Sequence, residues 1–447
     1  MKPFIVIQGP VATRSGYGNH MRDLTSALIS SDKYEIAIVS LPWGSCPMNA
    51  LNNQDEAHKL IIDKIITTNI NKQPDIFIQL SVPHEFQKVG KYNIGITAGI
   101  ETNQCSAEWL EGCNRMDLII TTSKHSKDVF VNTVYDKINE QTKQKDAELT
   151  LTTPIEILFE GCDLNTYHKT EKLDKNVVDE LTHIKEDFCY LFVGHWLQGG
   201  ISHDRKDIGM LIKTFCEAFK KKVGSKKPAL ILKTSGAGFS VMDREFCLNR
   251  IRDVIREYGP AGPSVYLLHG DFTDKEMNSL YNHPKMKAMV SFTKGEGFGR
   301  PLLEFGMTGK PIIASNWSGH VDFLNPDYCI LLPGQLTDVD KSAVQDKMII
   351  KGSKWFTVNY AYASQILVDI HKKYKEYLIK SRKQPEYIRK NFTFDMMKEK
   401  FIGMIDEILE KVPQPVKLNL PKLKKVGGGN NTPPKMKLPK LKKIETV

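Results

Sequence analysis

The stretch MKAMVSFTKGEGFGRPLLEFGMTGKPIIASN, residues 286–316, contains three segments of different character. An apolar run over 286–293 is typical of a buried strand, and a second run over 311–315 is typical of another. Between them, Pro301 suits the first position of a helix and Gly309 suits its end. The stretch therefore predicts a strand–helix–strand unit with a glycine-rich turn before the helix.

The same alternation occurs along most of the chain. In the first part, strands are predicted at 4–8, 34–40, 75–80, 93–98, 117–122 and 155–159, with helices such as 17–30 and 106–115 between them. From about residue 186 the pattern repeats. Two such runs indicate an α/β protein with two Rossmann-like domains, each built on a parallel sheet.

These patterns predict a domain organisation. We expect the first domain at 1–175 and the second at 176–375. A final helical stretch over about 356–411 would link the two domains, and its last part, 376–411, would pack back as a C-terminal crossover helix. A length of 447 residues is too great for one ordinary core and agrees with two domains.

Composition narrows the class of protein. No run of about 18 apolar residues occurs, so no transmembrane helix is expected. The N-terminal apolar run is too short for a signal peptide, and we therefore expect a cytoplasmic protein. The eight cysteines are scattered without a Cys-x-x-Cys pair, which favours reduced packing residues over disulfides or a zinc site.

Residues 412–447 differ sharply from the rest of the chain. They contain nine lysines and one glutamate, so most of the formal net charge of +10 lies there. LPKLKKV at 420–426 returns as LPKLKKI at 438–444, on either side of a GGGNN linker. This composition predicts a disordered basic tail. The repeat indicates an attachment device for nucleic acid, an anionic membrane or an acidic protein, although a purely solubilising end fits as well.

Two glutamates flank the glycine-rich turn of the opening stretch. Gly297, Phe298 and Gly299 come just before the helix, where backbone N–H groups and the helix dipole attract a phosphate. Glu296 lies in the loop, and Glu304 is expected in the first helical turn. Carboxylates at this spacing could accept hydrogen bonds from two sets of hydroxyls, one on a ribose and one on a sugar.

The segment EGFGRPLLE, followed by GKPIIASNWSGHVDFL, resembles the E-x7-E signature of retaining GT-B glycosyltransferases, which use nucleotide diphosphate sugars. The resemblance implies that Glu304 binds the ribose and that Glu296 binds the donor sugar as part of the catalytic set. It implies that the backbone at Gly297, Phe298 and Gly299 meets the phosphate and the sugar. The similarity covers roughly residues 1–411 and is most specific over 186–325.

A basic pair follows the first strand of the second domain. Arg205 and Lys206, in HDRKDIGMLIKTF, match by position a basic pair of this family. Fixed cations aimed at a departing diphosphate stabilise the transition state more than the ground state. The resemblance therefore implies a catalytic role, and a surface pair is the alternative. Lys233, at the end of the strand LILK, is a further donor-binding candidate, with packing at the rim of the core as its alternative.

The first domain offers candidates for the acceptor side. GPVATRSGYGNHMRDL resembles the glycine loop of the GT-B N-terminal domain, which implies that Gly16 lies near the donor phosphates. Tyr17, Gly18 and His20 are expected at the cleft, and packing is an equal alternative for His20. Glu101 stands near a position where many family members have a histidine, and we assign it to orienting the acceptor. Four more residues are expected to be structural or cleft-lining: Ser123, Glu160, Gly161 and Asp163.

Some motifs are absent from the sequence. The only Asp-x-Asp triplet, at 338–340, lies in a polar segment and is interpreted as chance, so no metal site of the GT-A type is expected. No phosphate-binding P-loop and no spaced His/Cys metal set occurs.

We therefore expect a retaining, metal-independent transferase of a hexosyl or pentosyl group, with a nucleotide diphosphate sugar as its donor. The acceptor stays open among glycan, lipid, protein and the hydroxylated bases of DNA, which some viral transferases modify. A binding protein with a decayed site, tethering partners through its tail, is the remaining alternative.

Overall fold

The computed structural model describes residues 2–67, 70–139, 141–220, 227–236, 238–259 and 262–411. The strands, in chain order, are β1 (Phe4–Gly9), β2 (Glu35–Ser40), β3 (Ile76–Leu80), β4 (Tyr92–Thr97), β5 (Leu118–Thr121), β6 (Tyr135–Ile138), β7 (Lys145–Leu149), β8 (Ile155–Ile157), β9 (Cys189–Val193), β10 (Ala229–Lys233), β11 (Val265–Leu268), β12 (Met286–Ser291), β13 (Ile312–Ser315), β14 (Ile330–Leu332), β15 (Gly334–Asp338) and β16 (Lys354–Val358).

The α-helices surround these strands. In chain order they are α1 (Gly16–Ser31), α2 (Glu56–Ile62), α3 (Ala107–Asn114), α4 (Lys124–Asn132), α5 (Lys175–Thr182), α6 (Ile208–Phe219), α7 (Val241–Ile255), α8 (Asp274–Asn282), α9 (Arg300–Gly306), α10 (Tyr360–Lys372), α11 (Tyr374–Ser381), α12 (Gln384–Asn391) and α13 (Phe394–Lys411).

The first sheet is parallel, with the order β2-β1-β3-β4-β5-β8. Its strands are short apolar runs, and β3 is buried along its whole length, as expected for a sheet covered on both faces. The strands predicted in this half are confirmed, and their ends differ by one or two residues. The two helices predicted at 17–30 and 106–115 are α1 and α3.

The second sheet is also parallel, with the order β11-β10-β9-β12-β13-β14. The chain runs outward in one direction from β9 to β11 and in the other from β12 to β14. Ligands of such sheets bind beyond the carboxyl ends of the strands at the point where the order reverses. The loops that follow β9 and β12 carry the residues predicted to be catalytic.

The helical prediction for 356–411 is wrong over its first residues. Lys354–Val358 pairs antiparallel with Gly334–Asp338, because Trp355, Phe356 and Val358 are buried there as strand residues. The helices then run from Tyr360. The last of them, α13, returns to the first sheet and places Met397, Phe401 and Ile405 in the same core as β1 and α1. This return is the predicted crossover.

Two further expectations concern the limits of the domains and the C-terminal tail. The domain limits at 175, 375 and 411 stay predictions. The predicted tail at 412–447 lies outside the described residues. Within the described ranges, no helix combines the length and the apolar character that crossing a membrane requires.

Candidate active site

A cavity of about 1540 Å³ lies between the two sheets. Its wall includes residues that follow strands of both sheets: Glu101 follows β4, Gly194 follows β9 and Glu296 follows β12. The N-terminus of α1, at Gly16, also reaches the wall. Pockets for one drug-sized ligand measure roughly 300–1,000 Å³, so this cavity has room for two ligands.

The residues predicted to be catalytic lie together on the wall. Glu296 contacts the ammonium of Lys206 through Oε1, and its Oε2 lies 3.4 Å from Arg205 Nη1. Arg205 also donates to the backbone oxygen of Gly295 at 3.1 Å and lies 3.5 Å from Glu101 Oε1. Glu296 thus lies between two cations, and one of them, Arg205, also contacts Glu101 from the other half of the chain.

Burial and charge together fix the protonation of this cluster. Burial alone would raise the pKa of Glu296, but Lys206 and Arg205 outweigh it and lower that pKa to about 2. Burial lowers the pKa of Lys206 in spite of Glu296. Burial also acts to lower the pKa of Arg205, but Glu101 and Glu296 outweigh it and raise that pKa above the ordinary value. Glu296 is therefore ionised at neutral pH and accepts hydrogen bonds rather than donating a proton.

A buried ion pair lies directly beside the basic pair. Lys294 Nζ, 1% exposed, lies 3.2 Å from Asp207 Oδ2, and Asp207 also accepts from the hydroxyl of Tyr360. The backbone N–H of Lys294 donates to the oxygen of Arg205 at 2.7 Å. These contacts tie the loop after β9 to the loop after β12. Sequence reasoning missed Lys294, although a charged residue in an otherwise apolar strand end could have indicated a buried partner.

The glycines of the turn are required by close packing between the two halves. A Cβ on Gly297 would overlap the carbonyl oxygen of Ala98, and one on Gly295 would overlap that of Glu101. Gly299, the residue before α9, has φ +99°, a conformation that glycine adopts without strain. Phe298 is buried in the core against Phe323.

Glu304 lies in the second turn of α9 rather than the first. Its Oε1 accepts from Arg300 Nε at 2.9 Å, and its Oε2 accepts from the hydroxyl of Tyr281 at 3.3 Å. Burial raises the pKa of Glu304 to about 7, against the opposing charge of Arg300. Glu304 thus titrates near neutrality, whereas Glu296 does not.

Arg300 connects this carboxylate to the first half of the chain. Its Nη1 contacts Asp23 of α1 and lies 3.8 Å from Glu160 Oε2. Burial raises the pKa of Glu160 to about 7. Sequence reasoning missed Arg300, yet a cation in the first turn of a helix opposes the dipole and therefore signals a specific partner.

The N-terminus of α1 has a defined cap. The hydroxyl of Ser15 accepts from the N–H of Gly18, while Gly16 and Tyr17 line the cavity. Gly18 and His20, which are expected at the cleft, are not among the described residues that line the cavity. Gly18 is pressed against Thr13, and His20 is 2% exposed, with burial lowering its pKa to about 3.

Lys233 lies at the cavity wall at the end of β10. Its ammonium donates to the oxygen of Gly270 at 2.6 Å and lies 4.7 Å from the ring centre of Phe272. Burial lowers its pKa to about 8. Lys233 thus lines the cavity and also supports the loop after β11. This position fits both donor binding and packing at the rim of the core.

The remaining candidates have structural positions. Ser123 caps α4, the Cα of Gly161 packs against Phe394, and Asp163 accepts from Thr166 at 2.6 Å. Asp163 and Glu160 also line the cavity. Asp338 ends β15 and lies 3.8 Å from Lys354 Nζ. Across the described ranges, no group of three or more His, Cys, Asp or Glu side chains is arranged to hold a metal.

No protein-family model and no curated protein sequence matches the chain. Solved structures do match. Sucrose-phosphate synthase from Thermosynechococcus elongatus aligns over 92% of this chain and 100% of its own, with 11% identity and a TM-score of 0.60. Anabaena Alr3699/HepE in complex with UDP-glucose aligns over 90% and 99%, with 12% identity and a TM-score of 0.56. The chain has the GT-B fold.

A glycosyltransferase from Rickettsia africae ESF-5 agrees with this assignment. It aligns over 92% of this chain and 99% of its own, with 13% identity and a TM-score of 0.58. The GT-B fold places the cavity between two Rossmann-like halves. One fold hosts many functions, so the side chains on the cavity wall determine which ligand binds there.

Proposed function

We propose that this GT-B protein is a retaining glycosyltransferase that moves a sugar from a nucleotide diphosphate sugar to an acceptor hydroxyl. The observation that carries the proposal is the cluster of Glu296, Lys206 and Arg205 on the cavity wall. The Anabaena protein named above was solved with UDP-glucose, which supports a nucleotide sugar as the class of donor here.

In the proposed reaction, the donor diphosphate lies against Arg205 and Lys206. Negative charge grows on the diphosphate as the bond to the anomeric carbon breaks, and fixed cations stabilise that charge most in the transition state. Glu296, ionised beside these cations, accepts hydrogen bonds from hydroxyls of the donor sugar. Glu304 accepts hydrogen bonds from the ribose.

The acceptor oxygen then bonds to the anomeric carbon on the face that the diphosphate leaves. The acceptor proton passes to the departing phosphate oxygen, so atoms and charge balance without a separate protein base. This route retains the anomeric configuration. Arg205, Lys206 and the N-terminus of α9 supply the positive charge, and we therefore propose that turnover needs no divalent metal.

Donor binding gives a direct test. Thermal unfolding of the full chain is measured in EDTA with a panel of nucleotide diphosphate sugars. A ligand that binds only the folded state raises the midpoint temperature of unfolding. At a free ligand concentration one hundred times Kd, the stabilisation is about 2.7 kcal/mol. We expect a rise with at least one donor. No rise with any of them would reject the proposal and favour a decayed site.

A further inference from the structure

An aromatic pair lines the cavity on the wall formed by the first half of the chain. The rings of Tyr17 and Trp43 are stacked, with their centres 4.0 Å apart and their planes at 21°. Both side chains are half-buried, and Trp43 packs against the apolar cluster that includes Val82, Phe86 and Ile100. The pair therefore presents a fixed aromatic surface to the cavity.

This surface lies close to the Glu296 cluster. The hydroxyl of Tyr17 accepts from the N–H of Ala98 at 3.2 Å and hydrogen-bonds the hydroxyl of Thr97 at 3.0 Å. The carbonyl of Ala98 in turn packs against Gly297, beside Glu296. The backbone of Ala98 thus lies between the hydroxyl of Tyr17 and the turn that contains Glu296.

A carboxylate completes this part of the wall. Glu101 follows the same strand end as Ala98, and its side chain is 26% exposed and lies 3.5 Å from Arg205. Its Oε1 lies nearest the cation, and Glu101 is among the residues that line the cavity. A hydroxyl bound between the aromatic pair and Glu296 would therefore meet a hydrogen-bond acceptor.

The charged residues on the cavity wall favour some classes of acceptor over others. Twelve carboxylates and seven Lys or Arg residues line the described wall. In the part contributed by the first 175 residues, the cations are Arg14 and Arg22, and both have partners. Arg14 lies 3.1 Å from Asp271, and Arg22 donates to the backbone oxygens of Val11 and Thr13 at 2.8 and 3.0 Å.

A nucleic-acid acceptor fits this wall poorly. Its phosphates need Lys or Arg side chains that can replace their counterions. An excess of carboxylates around the cavity would instead repel a polyanion. An uncharged sugar ring avoids this cost. Its C–H hydrogens can face the negatively charged surface of an aromatic ring, and its hydroxyls can donate to carboxylates.

We propose that Trp43 and Tyr17 form an acceptor subsite for an uncharged sugar ring, with Glu101 accepting a hydrogen bond from the hydroxyl that attacks. The inference rests on the glycosyltransferase function proposed above and names the acceptor class for that site. The transfer itself is unchanged: the bond from the anomeric carbon to the diphosphate breaks, the bond to the sugar hydroxyl forms, and the proton leaves with the diphosphate.

The experiment uses the full chain and a donor that it hydrolyses. Two kinds of acceptor are compared: a set of uncharged p-nitrophenyl glycosides, and duplex DNA containing 5-hydroxymethylcytosine. We expect transfer to at least one glycoside. Trp43→Ala should raise the KM for that glycoside about tenfold or more, and clearly more than the KM for the donor. Trp43→Phe keeps a smaller ring and should raise that KM less than Trp43→Ala does.

A second variant guards against loss of folding. Trp43→Leu keeps apolar volume without an aromatic face and should show the same selective rise in acceptor KM. The inference is overturned if DNA is the only acceptor, if no glycoside is used while donor is consumed, or if Trp43→Leu leaves the glycoside KM within about twofold of the wild-type value. If no nucleotide sugar is bound or hydrolysed at all, the proposed function fails first and the inference falls with it.

Discussion

Glu304 shows how burial changes the chemistry of a single side chain. Glu296 and Glu304 are the same residue type eight positions apart, yet the pKa of one is lowered to about 2 and that of the other is raised to about 7. Glu296 has two cations beside it. Glu304 has Arg300, but Arg300 is shared with Asp23 and Glu160.

The raised pKa of Glu304 predicts pH-dependent donor binding. If its ionised form accepts from the ribose, donor affinity should fall by up to about tenfold per pH unit below pH 7 and level off above it. Glu304→Gln should weaken donor binding at pH 8 and remove most of this dependence. Isothermal titration between pH 6 and 8 measures both effects.

Glu160 provides the control, because its pKa is also raised to about 7. Glu160→Gln should keep the pH dependence of donor affinity. If Glu160→Gln abolishes it while Glu304→Gln does not, the titrating group is Glu160 and the role given to Glu304 is wrong.

At the scale of elements, the loops after β9 and β12 act as one unit. Lys294 and Asp207 are buried charges that neutralise each other beside Arg205 and Lys206. Lys294→Met should lower the free energy of unfolding by about 3–5 kcal/mol, since it leaves a buried carboxylate without its partner. Urea unfolding measures this change, and Lys294→Met with Asp207→Asn should recover part of it.

A matched lysine tests whether the effect depends on burial. Lys33 pairs with Asp406 at the surface, where both side chains are about half exposed. Lys33→Met should cost at most about 1 kcal/mol. Equal losses for Lys33→Met and Lys294→Met would contradict a special role for the buried pair.

Gly297 tests the contact between the turn and the end of β4. Gly297→Ala forces a methyl group into the oxygen of Ala98, so the free energy of unfolding should fall by about 1–3 kcal/mol and donor turnover should fall as well. Gly403 lies on the exposed face of α13 with open space around it. Gly403→Ala should therefore raise the free energy of unfolding by up to about 1 kcal/mol. A Gly297→Ala variant as stable as the wild type would refute this packing argument.

The two kinds of element differ in how well the sequence predicts them. Parallel strands such as β3 are buried along their length, so their apolar runs mark them directly. The helical prediction fails over 356–358, because the pairing of this segment with β15 depends on residues some twenty positions away. Arg205 and Glu296 could be predicted since each lies in a recognisable local motif.

At the scale of the whole molecule, ion pairs cross between the two halves around the cavity. Arg205 meets Glu101, Arg300 meets Asp23, and Arg14 meets Asp271. No local pattern predicts these pairs, because their partners lie more than a hundred residues apart in sequence. The sequence signals that Arg300 and Lys294 need partners, but only the tertiary structure shows which partners they have and places Trp43 beside Tyr17.

The basic tail is predicted to act outside the donor site. Deleting residues 412–447 should leave donor hydrolysis within about twofold of the full chain, because every side chain assigned to the donor lies before residue 412. Release of nucleoside diphosphate measures this rate. Loss of hydrolysis in the truncated chain would mean that the tail contributes to the site.

We propose that Arg205 and Lys206 stabilise a departing nucleoside diphosphate without a metal. The most direct measurement is the rate of nucleoside diphosphate release from a bound donor in EDTA. We compare the wild type, Arg205→Ala with Lys206→Ala, and a control with Arg389→Ala and Lys390→Ala, an adjacent exposed pair on α12.

We predict release by the wild type and the control, and a rate lower by on the order of 10³-fold in the Arg205/Lys206 variant. Equal rates in all three proteins, or release that appears only when a divalent metal is added, would contradict this role of Arg205 and Lys206.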